Sequence, residues 1–250
     1  MVRVRAVCHP IVPIVRNLLS KTLRSITMLS EPTVFIVESD PRARQSIEAL
    51  VRTMHLTPAT FASAEAFLMQ RDRSQHGCVI ADLRLPDMNG IQLVEHLVAQ
   101  HDRIPVIMSG AKTPVRTVVR AMHLGAITFL EKPYPADELC ATIPKALELD
   151  RRRRLREVRR RYARQRLERL TPQERQVMDY MLAGLPNKVI SKRLGVSLRT
   201  VEYRRHDIFE KTETESLPEL VRLVTDLEMI ERTEQPAVRR NGHRMQPSYS

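Results

Sequence analysis

CVIADLRLPDMNG, residues 78–90, is four apolar residues, an acid at Asp82, and a turn holding Pro86, Asn89 and Gly90. A short apolar strand stopped by a carboxylate and followed by a Pro/Gly turn is how a parallel α/β sheet presents an acid at its carboxyl edge. Such an acid can also simply cap the turn, so Asp82 alone leaves both readings open. The neighbouring sequence extends the pattern. VFIV at residues 34–37 stops at Glu38, Ser39 and Asp40, with Asp40 expected to begin a loop, and a helical pattern runs over 42–54. A short strand is expected at 57–61, a helix with apolar residues at three- and four-residue spacing at 91–100, and a buried strand at 104–110. A helix at 115–123 and a strand at 127–133 complete the series. Continuously apolar strands alternating with helices predict a doubly wound α/β fold with a parallel sheet. Right-handed crossovers then gather Glu38, Ser39, Asp40, Asp82, Ser109 and Lys132 at one edge.

That set of side chains has a chemical logic. A carboxylate beside a compact ammonium and a hydroxyl can act as a nucleophile toward a phosphoryl group while the ammonium answers the charge that develops. Acids near Asp82 could also hold Mg2+, which takes one or two carboxylates with phosphate oxygens and waters. The competing reading is an Asp82–Lys132 ion pair with Ser109 as a strand-end cap. Convergence of four polar groups from different strand ends favours chemistry.

Composition bounds the rest. The chain has 250 residues, 42% of them hydrophobic, enough for two modest domains. It has no apolar run long enough to span a membrane, so no membrane partner is expected and the chain reads as cytoplasmic. Cys8, Cys78 and Cys140 are odd in number and far apart, which fits a reducing compartment and neither a disulfide framework nor zinc. The net charge of +12 is uneven: residues 31–148 carry 12 basic and 14 acidic side chains, whereas 149–170 carry 11 Arg against three acids. A polyanionic partner near the middle and end of the chain follows.

Residues 1–30 carry five basic residues and no acid, with Pro10 and Pro13 breaking any early helix. This extension reads as disordered, or as a start assigned too early with Met28 the natural one, ahead of a basic amphipathic helix. The last helix of the α/β domain is expected at 137–150, kinked or interrupted at Pro144. The Arg-rich segment 149–167 reads as a helical linker with a short apolar seam at Leu155, Val158 and Tyr162, first a weak dimer contact and second a phosphate contact. Thr171, Pro172 and Glu174 open a capped helix that stops at Gly184. A helix at 187–196, a third capped by Ser197 over 198–211 and a fourth at 217–230 follow. Two short helices joined by a Gly-containing turn, the second bearing Arg199, Thr200, Tyr203, Arg204 and Arg205, form a helix-turn-helix for double-stranded DNA. A packing module with a basic face is the plainer alternative.

VFIVESDP, CVIADLRLPDMNG, VIMSG and TFLEKPY together resemble, in order and spacing, the receiver domain of two-component response regulators. LTPQERQV, AGLPNKVISKRLGVSLRTVE and the RR pair after them resemble the LuxR/NarL-type output domain, so the whole chain resembles a NarL/FixJ-type regulator. The resemblance implies a flavodoxin-like (βα)5 receiver at 31–148 and an all-α helix-turn-helix domain at 168–232, with a disordered tail at 233–250. It implies Asp82 as phosphoacceptor for a sensor histidine kinase, Ser109 and Phe129 as switch residues, Lys132 as the phosphate-binding lysine, and Leu130 as ordinary core. Mg2+ would be held by Glu38, Asp82 and the backbone carbonyl of Arg84. Ser39 stands where the family has a second acid, a departure that makes it a doubtful ligand and predicts weakened Mg2+ binding. Lys188, Arg199, Thr200, Glu202, Arg204, Arg205 and Lys211 lie at positions bordering DNA, and the last helix is the usual dimer surface. The chain is therefore expected to be a DNA-binding transcription regulator rather than an enzyme. A homodimer is expected on activation, with RNA polymerase as a further candidate partner. The alternative is a constitutive DNA-binding protein whose receiver is weak in Mg2+ binding because of Ser39.

Overall fold

The computed structural model describes residues 31–234, and the expectations for 1–30 and for the tail beyond Glu234 fall outside them. The described chain divides into two compact units after Arg154.

In the first unit, β1 (Thr33–Val37), β2 (Thr57–Phe61), β3 (Gly77–Asp82), β4 (Val106–Gly110) and β5 (Thr128–Glu131) form one parallel sheet in the order β2-β1-β3-β4-β5. The helices are α1 (Pro41–Thr53), α2 (Ala64–Gln70), α3 (Gly90–Ala99), α4 (Val115–His123) and α5 (Ala136–Glu168). Successive strand residues face opposite sides, so the sheet feeds two cores. Phe35, Val79 and Met108 pack with Phe67 of α2 and Leu93 and Leu97 of α3. Val34, Ile36, Ile80 and Ile107 pack with Ile47 and Val51 of α1 and Leu139 and Ile143 of α5.

Three sequence expectations change. The helix α2 is additional: Ser63 caps it, its side chain accepting from the Ala66 N–H, and seven residues were too few to show a period. Asp40 begins a helix rather than a loop, its carboxylate accepting from the Arg42 N–H (2.8 Å) with Pro41 in the first turn. Pro144 does not end α5, which continues to Glu168. A proline removes one i→i−4 bond, and burial of Leu139, Ile143 and Ala146 against the sheet outweighs that loss.

The start of the Arg run is tied to the first unit. Asp150, buried, accepts from the Gly77 N–H (3.1 Å) and Arg154 Nε (3.0 Å), and Arg154 also donates to the carbonyls of Ser74 (3.1 Å) and Gln75 (2.8 Å). Arg151 and Arg152 both pair with Glu148, which holds that carboxyl down at about 2. The Cys78 thiol is pushed up to about 12 by burial, with Asp150 adding, which fits an inert core cysteine.

In the second unit the end of α5 packs with α6 (Pro172–Leu182), α7 (Asn187–Leu194), α8 (Leu198–Thr212) and α9 (Leu217–Glu234). Leu167 and Leu170 join Val177, Met181, Ile190, Val201, Ile208 and Leu220 in one core, with Leu194 and Val196 packed at its margin. Thr171 and Glu174 form the capping box on α6. Gly195 ends α7 at φ 64, where the absence of a Cβ removes the left-handed penalty.

Candidate functional site

The carboxyl edge of the sheet collects side chains delivered by four strands. Glu38 follows β1 directly and is 2% exposed; Asp82 ends β3 at 9%; Ser109 in β4 is fully buried and pairs in register with Asp82. Lys132 follows β5 and reaches across all of them, its Nζ lying 2.5 Å from Glu38 Oε2 and 3.1 Å from Asp82 Oδ1. Burial works against the Lys132 ammonium, but the Glu38 bond and the Asp82 charge outweigh it and hold its pKa above the ordinary lysine value. The Lys132–Pro133 peptide is cis.

Backbone contacts fix the acid's surroundings. The Leu83 N–H donates to the Ser109 carbonyl (2.7 Å) and the Gly90 N–H to the Leu83 carbonyl (2.9 Å), folding the turn after Asp82 back on the strand. Gly90 is needed there, because a Cβ would lie 2.5 Å from the Asp82 carbonyl oxygen. Asp87 seats its carboxylate on the Glu65 N–H (2.5 Å) and the Ala64 N–H (3.3 Å) at the start of α2. Burial opposes its charge, yet those bonds hold its pKa below the ordinary value.

The Ser109 hydroxyl has no hydrogen-bond partner among the described residues. An unsatisfied buried hydroxyl costs stability, so it marks a place where a ligand atom is wanted or strain is held. Tyr134 stands beside it, the two hydroxyls falling short of a geometric hydrogen bond although Ser109 still opposes the rise in the phenol pKa. Its phenol pKa is raised, first by burial and further by Glu38 and Asp82, against the pull of Lys132. Phe129 is half-buried in β5, paired in register with Met108, whereas Leu130 is core at 1% exposure. Tyr134 and Arg44 were missed as site residues. Arg44 carried no signal beyond lying on α1, yet its Nη1 donates to the carbonyls of Glu38 (2.6 Å) and Ser39 (3.2 Å).

The donors available to a cation can be counted. Glu38 Oε2 is held by Lys132 and Oε1 accepts from the Asp40 N–H (3.1 Å). The Ser39 hydroxyl donates to the Arg84 carbonyl (3.3 Å), the oxygen the family likeness assigns to metal. Among the described residues no three of His, Cys, Asp and Glu converge as a metal centre. Receiver domains generally bind Mg2+ at the phosphorylation site, but this donor set does not fit it. One acid is missing, both Glu38 oxygens and the Arg84 carbonyl are engaged, and the Arg44 guanidinium sits on the adjacent Glu38 and Ser39 carbonyls.

On the second unit, Ser197 caps α8 through the Thr200 N–H (3.1 Å) and also meets the Thr200 hydroxyl (2.8 Å). Arg199, Glu202, Tyr203 and His206 recur at i, i+3, i+4 and i+7, a single exposed face, with Tyr203 67% exposed. Arg204 and Arg205 are half-buried on the shoulders of the core, Arg205 lying 6.0 Å from the Phe209 ring centroid. Lys188 is exposed on α7. Lys211 is drawn to Glu174, Nζ to Oε1 2.6 Å, so a residue read from sequence as bordering DNA makes an ion pair within its own unit. That bond raises the Lys211 pKa; for Glu174 burial opposes the charge, but Lys211 and Thr171 together lower its pKa. The end of α8 is set by Glu213 at φ 51, its carboxylate paired with Arg169 (2.9 Å) and Arg166 (2.8 Å).

A strand-end acid bridged by lysine, beside an unpartnered hydroxyl and on the same chain as a capped helix-turn-helix, is the arrangement of a receiver-type domain carried with a DNA-binding module. Residues 34–144 match the response regulator receiver domain and residues 168–224 the bacterial regulatory proteins of the luxR family. The transcriptional regulatory protein FixJ of Bradyrhizobium diazoefficiens is 34% identical over 196 residues, spanning 78% of this chain and 96% of FixJ. The response regulator protein TodT of Pseudomonas putida is 32% identical over 194 residues, spanning 78% and 86%. Among solved structures, the response regulator StyR is 38% identical with a TM-score of 0.73, covering 78% of this chain and 99% of StyR. The chain belongs to the NarL/FixJ family of two-component response regulators, with a flavodoxin-like receiver and a LuxR-type DNA-binding domain. Such regulators bind DNA and receive phosphate from sensor kinases. No described helix is long and apolar enough to cross a membrane.

Proposed function

We propose that a sensor histidine kinase transfers a phosphoryl group to Asp82 and that this transfer controls DNA binding by the α6–α9 module. The observation that carries the reading is the Lys132 bridge between Glu38 and Asp82 beside the unpartnered Ser109 hydroxyl. An Asp82 oxygen forms the new O–P bond as the P–N bond of the phosphohistidine breaks, and the imidazole leaves with the electron pair. Lys132 stays protonated and meets the developing charge, and the Ser109 O–H donates to a phosphoryl oxygen. Drawing Ser109 toward the phosphoryl group vacates space that Phe129 enters, and the α4–β5–α5 face changes with it. Phosphorylation can shift that equilibrium only if the phosphoryl group interacts differently with the two states.

On DNA, Arg199, Glu202, Tyr203 and His206 face the base edges and Lys188, Arg204 and Arg205 the phosphates, with Thr200 setting the helix start and Lys211 supporting the fold. The chain acts in the cytoplasm as a homodimer formed on activation, with α9 a dimer surface, and addresses RNA polymerase at its target promoters. It stores a phosphoryl group rather than turning over a substrate, and so is not an enzyme in the metabolic sense. DNA affinity of the native protein, Asp82→Ala and Asp82→Glu, each with and without phosphodonor, tests the reading. Response to donor in the native protein alone is expected. Equal affinities throughout would favour the second reading, a constitutive DNA-binding regulator, for which Ser39 is the supporting observation.

A further inference from the structure

The carboxyl edge is charge-balanced by protein groups alone. Two carboxylates, Glu38 and Asp82, share the Lys132 ammonium, and a second cation, Arg44, sits on the Glu38 and Ser39 carbonyls, while the nearby Asp40 carboxylate is occupied capping α1 and the Arg84 guanidinium lies on the Ala111 carbonyl (3.0 Å). An additional acid at position 39 would leave that balance negative and able to attract a divalent ion. Ser39 instead supplies a neutral donor, and its hydroxyl bonds the Arg84 carbonyl at 3.3 Å. Mg2+ dehydrates reluctantly and demands near-octahedral oxygen donors. To bind here it would have to break the Ser39 bond and sit beside a guanidinium already fixed on two carbonyls.

We propose that this receiver takes its phosphoryl group without a divalent cation, the Ser39–Arg84 hydrogen bond closing the cation's seat and Lys132 with Arg44 supplying the positive charge. The inference rests on Asp82 being the phosphoacceptor and adds how its charge is answered. Arg44 acts as a positioning residue. By donating to the Glu38 and Ser39 carbonyls it fixes the segment that carries Glu38 and Ser39, and its charge lowers the cost of a second negative group at Asp82. With an acyl phosphate as donor the step balances without a metal or a proton. The Asp82 oxygen–phosphorus bond forms, the phosphorus–oxygen bond to the acyl group breaks, and the carboxylate leaves with the electron pair.

The test uses the full chain, acetyl phosphate as donor and intact-mass detection of the phosphoprotein, in excess chelator and in Mg2+, with Mg2+ binding measured separately by calorimetry. The native protein should be phosphorylated in chelator at nearly the rate seen with Mg2+, and should show no saturable Mg2+ heat. Ser39→Asp should gain Mg2+ binding, and Mg2+ should then speed its phosphorylation by about tenfold, the effect of one charge-assisted contact on a barrier. Arg44→Gln should slow the cation-free reaction by a similar factor, and Arg44→Lys should recover part of it. Phosphoprotein that forms only with Mg2+, or native Mg2+ binding as tight as that of Ser39→Asp, overturns the inference and leaves Asp82 as acceptor intact. An absence of phosphoprotein under every condition overturns both, and the native protein decides this whether or not a variant folds.

Discussion

Gly90→Ala separates two physical effects of opposite sign at the edge of the phosphoacceptor. Gly90 opens α3 and does not need a left-handed backbone. By conformational entropy alone, alanine should therefore stabilise the protein, by about 0.4–1 kcal/mol. Packing opposes this: the new Cβ would sit 2.5 Å from the Asp82 carbonyl oxygen and 2.7 Å from Met108 Cε. The Met108 methyl ends a flexible side chain and can turn away. The Asp82 carbonyl belongs to a central strand and cannot, so relief must come from lifting the turn and stretching the 2.9 Å Gly90–Leu83 bond. Overpacking of this kind costs roughly 1–3 kcal/mol, and a lost backbone bond about 1 more. The net expectation is a destabilisation of roughly 1–3 kcal/mol. Urea unfolding followed by circular dichroism measures it, and hydrogen exchange of peptides covering β3 and the following turn locates it. A Gly90→Ala protein as stable as the native one, with unchanged exchange there, would refute the steric reasoning.

Two further outcomes follow from charges placed inside the fold. The Arg71 guanidinium lies 5.4 Å from the Phe35 ring centroid and 5.6 Å from that of Phe67, and pairs with Asp102. Asp102→Ala should cost about 3–5 kcal/mol by stranding a buried cation, and adding Arg71→Met should recover much of the loss in urea midpoint. A smaller loss in the single variant than in the double would contradict this. For the Glu174–Lys211 pair, Glu174 has a lowered pKa, so its contribution is complete above its unfolded value of ~4.3 and disappears as pH falls through the folded one. Lys211 has a raised pKa, so its contribution is complete below ~10.4 and disappears as pH rises through the folded value. Exchange protection of α6 should therefore be flat between about pH 5 and 10 and fall outside that window, and Glu174→Gln should remove the acid step. An acid step unchanged in that variant would assign it to other carboxylates.

The parallel sheet was legible because each strand is a short, continuously apolar run ended by polar residues, a pattern that buried central strands require on both faces. Strand ends were less so: residues 104 and 105 read as strand, but Pro105 has no N–H and contributes only its carbonyl, to the Val79 N–H, so pairing by β4 starts at Val106. The helix α2 escaped because seven residues complete barely two turns, and its identity depends on Ser63 and on Asp87, which lies more than twenty residues away in sequence. Pro144 misled for a related reason. Local propensity treats a mid-helix proline as a break, whereas the side chains before and after it are buried against the sheet. In the output unit, Thr171, Ser197 and Gly195 mark helix ends through their own backbone bonds, so those boundaries were readable from sequence.

Residues with a distinctive type at a strand end, such as Asp82, Lys132 and Ser109, announce themselves in sequence. Residues that act by where they point do not. Arg44 is one of 12 basic residues between 31 and 148, and only the fold shows its guanidinium on the Glu38 and Ser39 carbonyls. Lys211 is the converse case: the family resemblance puts it at a position bordering DNA, and only the fold shows that it also pairs with Glu174, which is 37 residues earlier and buried. The same logic applies to Ser39. The sequence shows an acid missing, which predicts only a weaker metal site. Its hydroxyl on the Arg84 carbonyl, with Arg44 behind it, is what the proposal adds: a seat occupied by protein groups rather than one merely short of an acid. A weakened site and a filled one respond differently to Mg2+: the first saturates at higher concentration, and the second does not respond until Ser39 is replaced by an acid.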